Sequence, residues 1–333
     1  MIVPEPLPVA LLAQLRTALV ALVSIGILGV IMNAPAAAQD SAKIRLGTAT
    51  PGGGFPVYGA AVVEAVNEID PGLVIEAINT KGSTENVPLL EAGGLDIALV
   101  QGEVVHEALT GVGRSPANLK IVMAMYSTPG MFVVRADTPY RTIEDLKGKP
   151  VALGAKGSGL VILGRYVLDG LGLDADKDFQ AIYLDRAGDG PTMVLDGRAV
   201  ALWGGGSGWP GFTAVAKGSA GARFIVPSKE QVEQIRTKHR FLMPLTLPAG
   251  SYPGQDQALE SVGSWSFILA RPDFDEAMAY RFAKALHQAE GKLATKLPQA
   301  AETTARNTVA AVSDPALLHA GVQRYLKEAG LLR

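Results

Sequence analysis

Short β-like runs alternate with helical stretches along most of the chain between residues 44 and 245, and this alternation restricts the fold to largely parallel sheets covered by helices. Ile44 to Ala49 reads as a strand, followed by a glycine turn and a helix from about Pro56 to Glu68. Tyr58, Ala61, Val62, Ala65, Val66 and Ile69 mark the buried stripe of that helix. Val74 to Asn79, Asn86 to Ala92 and Asp96 to Gln101 continue as strand, helix and strand. Two further strands are expected at Ile121 to Tyr126 and Met131 to Arg135. The sequence Thr142-Ile143-Glu144-Asp145 then has the pattern of a helix start, with Gly148 as its stop.

The alternation begins again after that point. Val151 to Gly154, Ala181 to Leu184, Ala199 to Trp203 and Phe224 to Val226 read as strands. The helices between and after them centre on Val161 to Leu171, Thr192 to Asp196, Gly211 to Lys217 and Glu230 to His239. A helix capped at Asp273 follows, with Phe274, Met278, Phe282, Leu286 and Ala289 on one apolar face. Two α/β units of similar size predict a pair of doubly wound lobes with a ligand cleft between them.

Composition narrows the function. The chain has 333 residues, 30 basic and 32 acidic side chains and a formal charge of −2, which gives no electrostatic reason for a nucleic-acid partner. It has no cysteine, so disulfides and thiolate metal sites are excluded. Its four histidines show no metal-ligand spacing, and no cofactor motif is present. Thr50-Pro51-Gly52-Gly53-Gly54-Phe55 lies between a strand and a helix, where backbone N–H groups can converge on an anion; Gly157-Ser158-Gly159 is a second such loop. Tight-turn glycines would read the same way, and neither loop is a P-loop or a dinucleotide fingerprint. Ser83 and Asn86 open the next helix as either caps or ligand contacts, and Gln101 ends the strand after it.

Taken in order, these blocks resemble the TAXI family of TRAP-transporter solute receptors. The resemblance rests on Gly52-Gly53, Gly82-Ser83-Thr84-Glu85-Asn86, Leu95 to Gln101, Leu146-Lys147-Gly148-Lys149, Gly157-Ser158-Gly159, Pro248 to Asp256 and the ending near Tyr325 to Gly330. It implies an α/β fold of the type II periplasmic-binding-protein kind, two doubly wound lobes joined by a hinge, without catalytic activity. One lobe would comprise residues 43–135 and 246–333, the other 136–245. The expected ligand is a small organic carboxylate, delivered to the membrane permease subunits of a TRAP transporter. The residues expected at the cleft are Gly53, Gly54, Phe55, Ser83, Asn86, Gln101, Tyr126, Ser158, Gly159 and Trp203. Where family members have Gly-Gly-Thr-Tyr-Tyr-Pro, this chain has Gly52-Gly53-Gly54-Phe55-Pro56-Val57, so the cleft floor loses hydroxyl groups. Trp203 and Trp209 flank a glycine-rich turn, and each stacks on a ligand or packs in its own lobe. Two other functions fit parts of the sequence: an exported α/β hydrolase using Ser158, which lacks a placed histidine and acid, and a solute sensor for a membrane kinase, which would share every site residue.

The N-terminus places the protein. Arg16 precedes a predominantly apolar stretch from Ala18 to Met32, and Ala34-Pro35-Ala36-Ala37-Ala38 supplies an A-x-A site. This is the order of a secretory signal peptide over residues 1–38, and it directs the chain to the periplasm. A membrane anchor fits less well, because the stretch makes about 22 Å of helix against a hydrocarbon core of roughly 30 Å. Periplasmic protein should therefore begin at Gln39 by N-terminal sequencing; recovery of chains that retain residues 1 to 38 would remove the export signal from the argument.

Overall fold

The computed structural model describes residues 43–333. The expected signal peptide and its cleavage point after Ala38 lie outside the described residues. Strands β1 (Ile44–Gly47), β2 (Ile75–Ile78) and β3 (Ile97–Val100) form a parallel group in the order β2-β1-β3. They alternate with helices α1 (Gly54–Ile69), α2 (Ser83–Glu91) and α3 (Gly102–Thr110). The apolar stripe expected for the first helix buries Tyr58, Val62, Ala65 and Val66. The second sheet is built on β5 (Pro150–Ala155), flanked in parallel by β6 (Gln180–Leu184) and β7 (Ala201–Gly205). Its helices are α4 (Gly159–Gly170), α5 (Asp189–Leu195), α6 (Pro210–Ala216) and α7 (Lys229–Lys238).

Two long strands join the sheets. β4 (Lys120–Arg135) is one strand of 16 residues in place of the two expected. Its first part pairs antiparallel with β10 (Leu259–Ala270), and from Gly130 onward it pairs with β7 and with β8 (Ala222–Ile225). The sequence Ser127-Thr128-Pro129-Gly130 reads as a break, yet extended backbone tolerates proline wherever its missing N–H is not required by the ladder. β10 pairs with β3, β4 and the short β9 (Met243–Leu247); neither β9 nor β10 is expected from the sequence. The same holds for α3. The helix expected at Thr142 is a single turn at Glu144–Leu146, although the Asp145 carboxylate still accepts from the N–H groups of Arg141 and Thr142.

Helix α8 (Glu276–Lys296) is longer than the expected span from Phe274 to His287. Asp275, not Asp273, caps it by accepting from Met278 N at 2.8 Å. It buries Phe282, Leu286, Ala289 and Leu293 against α1 and the first sheet, and α9 (Ala305–Ala311) and α10 (Ala320–Glu328) complete that layer. One apolar cluster draws on residues from Ile44 to Tyr126 and again from Phe267 to Leu326. Two others, one on each face of the second sheet, draw on residues between Met131 and Val262. The molecule is thus a two-lobed α/β protein.

Glu103 lies at the junction of α3 and β10, fully buried. Its Oε1 accepts from Ser264 Oγ at 2.6 Å, and its Oε2 has no partner. Burial pushes its carboxyl up to about 7 from 4.5, with the Ser264 hydrogen bond opposing the rise. Between those pH values the folded protein holds a proton that the unfolded chain releases, so stability falls as pH rises through this window and stays at the lower level above it. Glu103→Gln keeps an acceptor for Ser264 and removes the charge. Its stability at pH 8 should exceed wild type by up to about 3 kcal/mol, with the two converging near pH 4. Parallel melting curves across that pH range would show that Glu103 is not the titrating group.

Candidate functional site

All loops that follow the carboxyl ends of β1, β2, β3, β5, β6 and β7 turn toward the same space between the lobes, where such folds form a cavity. The cavity holds about 660 Å³ of empty space, counting its open mouth. The first-sheet side contributes Thr50, Gly53, Gly54, Phe55, Ser83 and Gln101. The second contributes Ser158, Gly159, Leu160, Ala187 and Trp209, and β4 supplies Tyr126 and Thr128 from between them.

Four helices of eight or more residues begin at or beside this space. α1 starts at Gly54 behind Gly53, which has no side chain to cap it; α2 starts at Ser83 behind Gly82; α3 starts directly after Gln101; α4 starts at Gly159 behind Ser158. Helix N-termini present N–H groups and the positive end of the helix dipole, so their convergence favours a negative charge. The hydroxyls at the site are ordered by backbone donors. Thr50 Oγ1 accepts from Ala187 N at 3.1 Å, Ser83 Oγ from Gln101 N at 3.0 Å, and Ser158 Oγ from Leu160 N at 3.2 Å. Gln101 and Thr128 are each 3% exposed, and Gln101 Nε2 and Thr128 Oγ1 have no hydrogen-bond partner. Such unpaired buried groups cost about 1 to 3 kcal/mol each, a penalty that a ligand can relieve.

The lobes touch across the cavity. Thr84 donates to Gly157 O through its backbone N at 3.2 Å and its Oγ1 at 3.1 Å. Gly52, at φ 84°, lies so close to Gly188 that a Cβ on it would stand 2.5 Å from Gly188 Cα. A methyl group at Gly159 would overlap Gln101 Cβ. At both positions contact between the lobes requires glycine, and at Gly52 the left-handed turn requires it as well. Farther out, His106 stacks on Phe241 at 4.1 Å, and Tyr166 Oη donates to Glu107 at 2.9 Å.

Most of the residues expected at the cleft line it: Gly53, Gly54, Phe55, Ser83, Gln101, Tyr126, Ser158 and Gly159. Two do not. Asn86 is fully buried beneath the floor, and its Nδ2 donates to Thr48 O and Leu99 O, both at 2.8 Å. It ties the start of α2 to the ends of β1 and β3. Trp203 is also fully buried, because alternation along β7 turns Leu202 to the cavity and Trp203 to the opposite face. There its Nε1 donates to Leu160 O at 2.7 Å and its ring packs edge-on against Phe132 at 4.7 Å. Trp209 is the tryptophan that reaches the cavity. Its backbone N donates to Tyr252 Oη, which donates in turn to Gly206 O, and a Cβ at Gly204 or Gly211 would collide with its indole.

Sequence reasoning leaves out Thr50, Thr128, Ala187 and Gln299. Thr50 opens the first glycine loop and is within reach of the sequence. Gln299 is not, because it arrives from the turn Pro298–Glu302 after α8. Burial raises the Tyr126 phenol well above its usual range, and the ring of Tyr58 sits edge-on to it at 5.2 Å. No histidine lines the cavity beside Ser158: His106 stacks on Phe241, His239 bonds Asp169, His287 bonds Tyr325, and His319 meets Phe274 O. Among the described residues no cluster of acidic or histidine side chains is arranged for a metal ion, and no helix is long and apolar enough to cross a membrane.

Several solved structures share this fold. The alkanesulfonate-binding protein of Xanthomonas axonopodis pv. citri, bound to MOPS, is 19% identical with a TM-score of 0.50, over 86% of this chain and 83% of that one. A structure described as a periplasmic transporter is 14% identical with a TM-score of 0.53, over 78% of this chain and 87% of that one. A protein from Bordetella bronchiseptica RB50 is 15% identical with a TM-score of 0.56, over 87% and 98%. At these identities the likeness concerns the fold, which is that of the two-lobed periplasmic binding proteins. The sequence model of the NMT1-like family matches residues 46–330. That span takes in both lobes and nearly every described residue, and the chain belongs to the NMT1-like family.

Proposed function

We propose that this protein is a periplasmic solute receptor of the TAXI type, which captures a small carboxylate-bearing solute between its lobes and delivers it to the membrane subunits of a TRAP-type permease. The observation that carries the reading is the cavity between the lobes onto which four helix N-termini converge, lined by Gln101 and Thr128 with their unpaired Nε2 and Oγ1. The N–H groups of Gly54 and Gly159 and the hydroxyls of Ser83 and Ser158 hold the carboxylate, Gly53 N being turned to Thr50 O at 3.3 Å, and Phe55, Tyr126 and Trp209 cover its body. The lobes pivot where β4 and β10 pass from one sheet to the other, close to Pro129 and Gly263, and the contacts of Thr84 with Gly157 and of Gly159 with Gln101 belong to the closed state. The fold shared with an alkanesulfonate-binding protein supports capture of an organic anion. A hydrolase using Ser158 has less support, because the serine hydroxyl caps α4 and no histidine stands beside it.

Mass spectrometry of the small molecule released on denaturation, followed by calorimetric titration with it, tests the reading. Recovery of a carboxylate is expected; recovery of a sulfonate would keep the receptor and reject the carboxylate. Gln101→Ala should then weaken binding by about 1.5 to 3 kcal/mol, the range for a hydrogen bond to a charged group. Unchanged affinity in Gln101→Ala and Ser83→Ala together would place the ligand elsewhere.

Closure has its own test. Gly159→Ala puts a methyl group against Gln101 only when the lobes are shut, so it should lower affinity by about 1 to 3 kcal/mol, the range for overpacking a fitted contact. Wild-type affinity in this variant would mean that ligand is held without the lobe contact seen here.

A further inference from the structure

We infer that the cavity selects organic anions without an ammonium group, ligands whose polar atoms are all hydrogen-bond acceptors, as in a 2-oxo acid. The inference rests on the receptor reading and names the ligand class within it. Its basis is the polarity of the lining. Lys81 is the one charged side chain among the described residues that line the cavity, and no aspartate or glutamate does so.

The neutral groups are poised chiefly as donors. Each hydroxyl of Thr50, Ser83 and Ser158 already accepts a backbone N–H, which leaves its own proton free to point at a ligand. The amide oxygen of Gln101 faces Ser266 Oγ at 3.4 Å, and its Nε2 is the end without a partner. These hydroxyl oxygens retain a second lone pair, but a neutral oxygen beside converging helix N-termini does not offset the cost of stripping water from an ammonium ion.

Of the carboxylates in the neighbouring loops, Asp189 is exposed and does not line the cavity, and the others are engaged elsewhere. Glu85 accepts from Lys81 N at 2.6 Å, Glu302 accepts from Ser127 Oγ at 3.0 Å, and Asp185 pairs with Lys156 at 2.8 Å on the surface. Glu103, fully buried, is held by Ser264 beside the Gln101 amide and does not line the cavity. An α-amino acid would therefore bury its carboxylate among donors and leave its ammonium without a counter-charge. A 2-oxo acid of the same skeleton replaces that ammonium with a carbonyl, which Gln101 Nε2 and Thr128 Oγ1 can serve.

Calorimetric titration of the purified protein with matched pairs tests this: 2-oxoglutarate against glutamate, 4-methyl-2-oxopentanoate against leucine, and 3-phenyl-2-oxopropanoate against phenylalanine. At least one 2-oxo acid should bind, and its amino acid should bind roughly 100-fold or more weakly. An amino acid that binds as tightly as its 2-oxo partner overturns the inference while leaving the receptor reading intact. If all six fail, the molecule released from the denatured protein decides. An organic anion without ammonium supports the inference, and an ammonium-bearing ligand overturns it alone. If no organic anion is retained, the receptor reading falls and the inference with it.

Discussion

The crossing of β4 and β10 from one sheet to the other governs the rest of the structure. Antiparallel pairing runs from Lys120 opposite Ala270 to Pro129 opposite Gly263, so the lobes are joined by hydrogen-bonded strands as well as by loops. Paired strands resist separation yet can flex and twist along their length, most readily where the ladder is irregular. The ladder shifts register between Trp265 and Phe267 and again between Ile268 and Leu269. At Gly263 the backbone comes so near Thr128 O that no side chain fits. The same crossing sets Tyr126 and Thr128 at the back of the cleft, since β4 passes directly behind it.

Glycines bring backbone to the cavity among its side chains, at Gly53, Gly54, Gly82, Gly154, Gly159 and Gly205. Across the cleft the chain segments at Gly52 and Gly188, and at Gly159 and Gln101, approach closer than side chains allow. Within the second lobe, Gly130 and Gly164 make room for the indole of Trp203, while Gly204 and Gly211 do so for Trp209. The run from Trp203 to Trp209 therefore serves packing at one end and the cavity at the other. Backbone and hydroxyl donors held in this way present fixed dipoles to the cavity.

The sequence determined the parallel units, the helices between them and most of the cleft. Hydrophobic periods of 2 and 3.6 residues are local, and in a parallel sheet the loops after successive strands must open on the same side, so the order of residues alone identifies Gly53, Ser83, Gln101 and Ser158. Tertiary structure decided the rest. Which face of β7 looks into the cleft depends on register against β4 and β5, and this sent Trp203 inward and left Trp209 to the cavity. Asn86 reads as a ligand contact in one dimension, and only the approach of β1 and β3 shows both of its amide hydrogens committed to Thr48 and Leu99. β10 and Gln299 escape for a related reason. The sequence Leu259 to Ala270 mixes serine and glycine with apolar residues because it passes between two lobes, and Gln299 reaches the site only because α8 delivers the following turn there. Local pattern encodes which residues are buried; the partner that buries them is set by contacts distant along the chain.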